Sequence, residues 1–205
     1  MADVKITDLT SASVPLAGTE LFETVQGGTS KKVAASDIGN SADALPYASL
    51  TGRAYISAYS TSDQTGNTGA ATAVKIGTTG FSAGISVANN GSGDPTRITY
   101  AAAGTYMIAP SLQFANSDTN DHEVTIWFRK NGTDLANSST VISVPKAADG
   151  GNTFFQIVLY EQVTAGQYIE IMWLPTNTAV TLDYIAAGAI APAAPSVILA
   201  SERIA

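Results

Sequence analysis

Cysteine is absent from the sequence, which excludes disulfide staples, thiolate-held zinc and thiol nucleophiles. It says nothing decisive about compartment. There is one histidine, His122, so hydrolysis by a Ser-His-Asp triad has a single candidate base. That residue stands beside Asp118, Asp121 and Glu123 in an Asn, Asp and Ser stretch, where a solvated loop histidine is the simpler reading. Charge is scarce too. Asp, Glu, Lys and Arg make up 13% of the chain, about half the roughly 25% usual for soluble proteins. The solvated surface must therefore come from Thr, Ser, Asn, Gln and Gly, or be covered by other subunits. The 10 basic residues against 17 acidic ones give a net charge of −7, and Lys31-Lys32 and Arg129-Lys130 are the adjacent basic pairs. Neutralising phosphates needs clustered cations, so a nucleic-acid partner is excluded. No apolar run approaches the ~20 residues that span a bilayer. The opening Met1-Ala2-Asp3-Val4-Lys5 lacks the basic and apolar regions of a secretory signal. The expectation is a protein made in a cytoplasm and not inserted in a membrane. Heptads, internal repeats and sustained helical periodicity are missing as well.

What is present reads as strand after strand. Val124-Thr125-Ile126-Trp127-Phe128 is a β-branched and aromatic run. Its alternation puts Val124, Ile126 and Phe128 on one face and Thr125, Trp127 and Arg129 on the other. Asn131-Gly132 follows, a pair that accepts positive φ cheaply and so favours a tight primed hairpin turn. A return strand is expected around Thr133–Val144. Tyr168–Leu174 alternates in the same way, with Ile169, Ile171 and Trp173 opposed to Tyr168, Glu170 and Met172. These two runs supply the expected core or trimer-interface residues: Val124, Ile126, Phe128, Ile169, Ile171 and Trp173.

Along the chain, residues 1–39 form a segment of their own. Its apolar residues are separated by Thr, Ser, Gly and Pro15, with a short hairpin predicted from Glu20–Val25 through Gln26–Ser30 to Lys31-Lys32-Val33. So few residues cannot bury these side chains alone. The segment is either an arm folded on its own domain or, the preferred reading, an arm docked into another protein through Ile6, Leu9, Leu16, Leu21, Phe22, Val25, Val33 and Ile38. Residues 40–52 are small and polar, a linker. From Arg53 onward come strands at Arg53–Tyr59, Val74–Ile76, Ile85–Val87, Arg97–Tyr100, Ala103–Ile108 continued by Ser111–Phe114, Phe154–Tyr160, Ala179–Ile185 and Val197–Ala200, besides the two above. Thr61–Thr72 reads as a long loop. Ala186–Pro195 reads as a loop, not a helix, because Pro192 and Pro195 remove donors and restrict their neighbours. Gly104 marks a bulge or a close backbone approach. Eight to ten short strands with frequent turns predict an all-β sandwich or jelly roll over residues 53–205.

Two resemblances sharpen this reading. Ile6-Thr7-Asp8-Leu9, Leu16 through Gly28, Lys31-Lys32-Val33 and Asp37-Ile38 together resemble the opening segment of many tailed-phage virion proteins. In those relatives the segment precedes fibre, decoration or tail-associated domains and attaches them to the particle. Ile98-Thr99-Tyr100, Ala103–Tyr106, Gln113–Asn116, Ile126–Gly132, Ala165–Glu170 and Pro195–Ile198 stand in the order seen in jelly rolls like the globular head of complement subcomponent C-one-q, related to the tumour-necrosis-factor fold. Phage virion proteins with a similar domain are closer still across Trp127–Gly132. The resemblance implies a jelly roll and a homotrimer. The collagen-like stalk of the animal proteins is missing here, so their ligands do not carry over.

No residue pattern points to catalysis, and no cofactor or metal is expected. The oxygen-rich Asn116–Asp121 lacks the spacing of a calcium loop, and turn composition explains it. Gly91-Ser92-Gly93 lacks the context of a phosphate cradle. The expectation is a non-enzymatic phage structural protein on the virion surface, made in the host bacterial cytoplasm. It would be a capsid-attached decoration or short head fibre, trimeric, held to capsid or to tail or neck proteins by residues 1–39. The alternative is a tail or neck fibre whose loops, Thr61–Thr72 or Asn116–Asp121, recognise a host-surface glycan.

Overall fold

A computed structural model describes residues 21–26, 29–34 and 53–205. The chain divides into two units, Met1–Gly52 and Arg53–Ala205. In the first, β1 (Leu21–Gln26) and β2 (Thr29–Ala34) form an antiparallel hairpin with Phe22 opposite Val33. The expected attachment residues Ile6, Leu9, Leu16 and Ile38, and the expected linker 40–52, lie outside the described residues.

The second unit is built from strands, with a single turn of 3-10 helix at Ala147–Asp149. In chain order these are β3 (Tyr55–Ser60), β4 (Gln64–Thr65), β5 (Thr72–Ala73), β6 (Thr78–Ala83), β7 (Ile85–Asn89), β8 (Pro95–Tyr100), β9 (Gly104–Asn116) and β10 (His122–Lys130). They continue with β11 (Thr133–Asp134), β12 (Thr140–Val144), β13 (Asn152–Gln156), β14 (Leu159–Val163), β15 (Tyr168–Pro175), β16 (Val180–Leu182) and β17 (Val197–Arg203). One sheet runs β11-β10-β15-β8-β7, with β12 also on β10 and β5 on β15. The other runs β4-β16-β9-β17-β3-β6, with β13 and β14 side by side along the free edge of β9. We call them the first and second sheets.

Every pairing is antiparallel, and the pairs nest. β3 pairs with β17, β8 with β15, β9 with β13 and β14, and β10 with β12. The chain is one long antiparallel ribbon rolled up so that successive ribbon pairs fall in alternate sheets, which is a jelly roll. The sandwich interior is filled by inward residues of both sheets: Ile56, Ala58, Ile108, Leu112, Phe114, Val197 and Leu199 from one, Ile98, Val124, Ile126, Phe128, Ile169, Ile171 and Trp173 from the other. Phe114 and Trp173 rings meet across it at 5.8 Å, and Tyr100 and Tyr106 at 4.4 Å. Burial pushes the Tyr100 hydroxyl far above its ordinary pKa.

The Asn131-Gly132 turn takes the primed form, with φ of 49° and 82°, and Lys130 faces Thr133 across it. The return strand, expected as one run, is split. β11 holds one register, then Leu135–Ser139 steps out around Asn137 at φ 61°, and β12 resumes three residues out of the first register. Ser138 fills the gap, its Oγ donating to Leu135 O at 2.8 Å and accepting from Phe128 N at 3.1 Å.

The expected strand Phe154–Tyr160 is also split, into β13 and β14, and Pro110 is the reason. N–H groups of odd-numbered β9 residues point toward β17, as Gln113 N to Ser196 O shows; even-numbered ones point toward β13 and β14, as Asn116 N to Gly151 O shows. Pro110 therefore withholds a donor on the β13/β14 side. The ladder stops at Gln156 opposite Ser111 and restarts in the same register at Leu159 opposite Ile108; in the gap Ile157 N keeps only a long bond to Pro110 O at 3.4 Å. Gly104 is a close approach, as expected: a Cβ there would lie 2.5 Å from both Ala205 O and Arg203 Nε. The expected strand Val74–Ile76 falls just after β5, and the expected loop Thr61–Thr72 carries β4. Ala179–Ile185 shortens to β16, while β17 runs on to Arg203.

Candidate interaction surface

The inward alternation that fills the core fixes what faces out. On the second sheet the outward side chains line up in cross-strand rows. One row reads Tyr160, Met107, Glu202, Tyr55. The next reads Ala109, Ala200, Ser57, Phe81. A third reads Gln156, Ser111, Ile198, Tyr59, Thr78, and a fourth pairs Phe154 with Gln113. The fourth row continues through Asp183, whose N–H donates to Gln113 O, to the neighbouring Asp63, so the charges of this face are Glu202 within it and the Asp63–Asp183 pair at its border. Phe154 is 66% exposed, Phe81 64%, Tyr160 60% and Ile198 47%, and the Tyr55 and Phe81 rings lie 6.0 Å apart. Single exposed apolar residues are ordinary; a continuous, nearly uncharged aromatic and aliphatic face marks an interaction site.

The outward face of the first sheet is the reverse. The Arg97 guanidinium stacks 4.4 Å over the Tyr168 ring and lies 3.8 Å from Glu170. Glu170 is nearly buried and accepts from Thr96 Oγ1 at 2.7 Å. The Asp134 carboxylate accepts from Arg129 Nε at 2.7 Å and Trp127 Nε1 at 2.8 Å, and the Arg129 guanidinium holds it below its ordinary pKa. This face pairs its charges within itself, Arg97 with Glu170 and Arg129 with Asp134, and leaves the buried Arg97 Nε without a hydrogen bond. The second sheet leaves its apolar groups in water.

The expected core or interface residues Val124, Ile126, Phe128, Ile169, Ile171 and Trp173 all sit inside the sandwich, at most 1% exposed. None reaches either outward face. No sequence pattern singles out the outward residues of the second sheet, although on β3 and β17 they lie one residue from core positions. Of the expected attachment residues, Leu21, Phe22 and Val25 fall on β1 and Val33 on β2.

At one end of the sandwich the chain enters at Arg53, beside the C-terminal residues, where Arg203 N donates to Ala54 O. A cavity of about 650 Å³ opens there, lined by Thr105, Lys130, Glu161, Gln162, Gln167 and Arg203. Lys130 and Glu161 form an ion pair across it. The single histidine is at the other end. His122 is not a solvated loop residue: it opens β10 half-buried, with Nε2 2.7 Å from Asp118 Oδ2. That bond is the main cause of the lowered Asp118 pKa, followed by the Thr119 N–H. Asn177 Nδ2 also donates to Asp118 Oδ2, and Lys146 N to Asp121 Oδ1. The carboxylates of the oxygen-rich loop thus serve the turn itself. Among the described residues there is no cluster of three or more metal-ligating His, Asp or Glu side chains.

No protein-family model matches the chain, and no curated protein matches it. Among solved structures, murine APRIL at pH 5.0 and at pH 8.0 is similar at 8% identity with a TM-score of 0.47, covering 74% of this chain and 99% of that one. Murine APRIL at pH 8.5 gives the same identity and coverage with a TM-score of 0.46. The nested strand pairing and the register described above make residues 53–205 a jelly roll with one predominantly apolar outward face.

Proposed function

We propose that this chain is a non-enzymatic structural protein of a tailed-phage virion. Residues 1–39 attach it to the particle, and its jelly roll associates with two further copies through the outward face of the second sheet. The observation that carries the association is that face: four rows of side chains, large aromatics among them, with Glu202 as the charge within them and Asp183 with Asp63 at the border. Its exposed residues fall into two groups. Phe154, Val158 and Tyr160 lie along the β13/β14 edge, while Tyr55, Phe81 and Ile198 lie across the middle and far side. Two different apolar patches on one chain suit a heterologous edge-to-face contact, the kind that closes into a ring. A homotrimer is the ring that the sequence resemblance implies.

The phage reading rests on the match of residues 5–38 to virion attachment segments, and the low overall charge accords with it. A capsid-attached decoration or short head fibre is the lead assignment. A specific observation favours a second reading, a tail or neck receptor-binding protein. The loops Thr61–Thr72 and Asn116–Asp121 lie together at the end of the sandwich opposite Arg53, mostly exposed, where a host-surface glycan can reach both. Labelling the protein on intact particles and imaging them separates the two: label over the capsid supports the first, label at neck or tail the second. A truncation lacking residues 1–39 tests attachment; particles that still carry it would refute the anchor.

A further inference from the structure

The segment between β16 and β17 leaves the second sheet at an unusual place. β16 and β17 run in the same direction along one edge of β9: Leu182 is opposite Phe114, and Val197 opposite Leu112. Gln113 spans the join, its O accepting from Asp183 N at 2.8 Å and its N donating to Ser196 O at 3.0 Å. The two strands are one line of sheet, interrupted by the excursion of residues 184–195. On the far side the line is flanked as well, by β4 opposite Leu182 and β3 opposite Val197. The excursion has no room in the plane of the sheet. It cannot go inward, where Phe114, Leu112, Leu182 and Val197 are fully buried. It therefore stands out on the same side as Ile198, Tyr59 and Phe154.

Its chemistry continues that face. From Ile185 to Pro195 no side chain carries a hydrogen-bonding or charged group, and residues 185–192 are exposed. Backbone bonds shape it as a small hairpin: Ile185 and Ala194 exchange both bonds, at 2.9 and 2.8 Å, and Gly188 N donates to Ala191 O at 3.0 Å. At the tip Ile190 is fully exposed. An ordered arm with an aliphatic tip and no polar side chain has nothing to gain from water.

We propose that this arm is an intersubunit clasp: residues 185–194 of each copy pack on a second copy of the chain. The occupant follows from continuity, because the arm rises from β17, the middle strand of the apolar face, and Ile198 lies just beyond its return limb. The inference rests on the proposed association through that face and adds the element that locks it.

The absence of cysteine makes the test clean, since an Ile190→Cys variant of the full chain carries one thiol. That thiol is labelled with a benzophenone photocrosslinker, and sedimentation velocity establishes the oligomer before irradiation. Covalent multimers from the Ile190 label, and none from the same label at Ser86 on β7, support the clasp. Oligomers that give no covalent product from Ile190 overturn the clasp and leave the face association standing. A monomeric wild-type chain overturns both. Ile190→Asp should weaken self-association about tenfold or more with an unchanged near-UV spectrum, since the side chain touches nothing in a single copy. If that variant assembles normally but no longer joins particles or cells, the arm belongs to another partner and the clasp is wrong.

Discussion

An acid placed at the middle of the apolar face should abolish assembly without touching the fold. Ile198 on β17 faces outward between Tyr59 and Ser111 and keeps 47% of its surface exposed in a single copy. Burying an entire isoleucine is worth about 1.5–3 kcal/mol, so covering the exposed half contributes about 1 kcal/mol per contact. Ile198→Asp loses that and also buries an unpaired carboxylate at an added cost of about 3 kcal/mol. The sum, about 4 kcal/mol, is nearly a thousandfold in the association constant for each contact. A closed trimer would contain three such contacts, and micromolar protein should then sediment as monomer. The fold should hold, because the substituted side chain is half-solvated in the free chain. Its unfolding free energy in urea should match that of a monomeric reference variant to about 0.5 kcal/mol. Thr99→Asp, on the outward face of the first sheet, serves as control and should leave the oligomer intact. If Ile198→Asp sediments like the wild type, the second-sheet face is not the interface.

Phe128→Ala removes a fully buried ring from β10 and should cost about 3–5 kcal/mol in denaturant unfolding; a cost under 1 kcal/mol would mean the sandwich interior is not packed as described. Gly132→Val forces a β-branched residue to φ near 82° in the primed turn and should cost about 1–3 kcal/mol, whereas Thr133→Val beside it should be nearly neutral. The acid limb follows from three carboxylates. Asp118 and Asp134 are held below their ordinary 3.8, so their contribution is complete above that pH and is lost as pH falls through their lower folded values. Asp183 is shifted the other way, by desolvation and then by Asp63, so its contribution is lost as pH rises through 3.8 and above. Asp118→Asn should therefore flatten the loss of stability on acidification. Asp183→Asn should raise the melting temperature at pH 7 but not at pH 3, and an equal change at both would contradict the assignment.

Most of the strand alternation was legible in the sequence because one face of each strand is buried, and a period of two leaves its mark on residue type. Val124, Ile126 and Phe128 announce an inward face, and Asn131-Gly132 announces its turn. Interruptions were harder to see. The break at Ile157-Val158 comes from Pro110, which is distant in sequence and matters only because its nitrogen faces β13 and β14. The step in register after β11 depends on Ser138 reaching the backbone of Phe128. His122 reads as a loop residue until Asp118 is placed beside it. Local propensity carries no information about such partners.

The apolar face was half-visible. Low charge pointed to covered surface, yet Tyr55, Phe81, Phe154, Tyr160 and Ile198 come from five strands scattered over the chain, and beside Tyr55 and Ile198 the sequence neighbours are core residues. By itself the sequence determined the all-β class, the turn at Asn131-Gly132, the inward residues of β10 and β15, and the apolar composition of Ile185–Pro195, because each is a property of adjacent residues. Tertiary structure alone decided that β3 and β17 pair, that the outward residues of β3, β17, β9, β13 and β14 share one surface, and that the apolar hairpin rises from it. Pairing between distant strands is set by the packing of the whole sandwich, and a surface exists only once that pairing has been made.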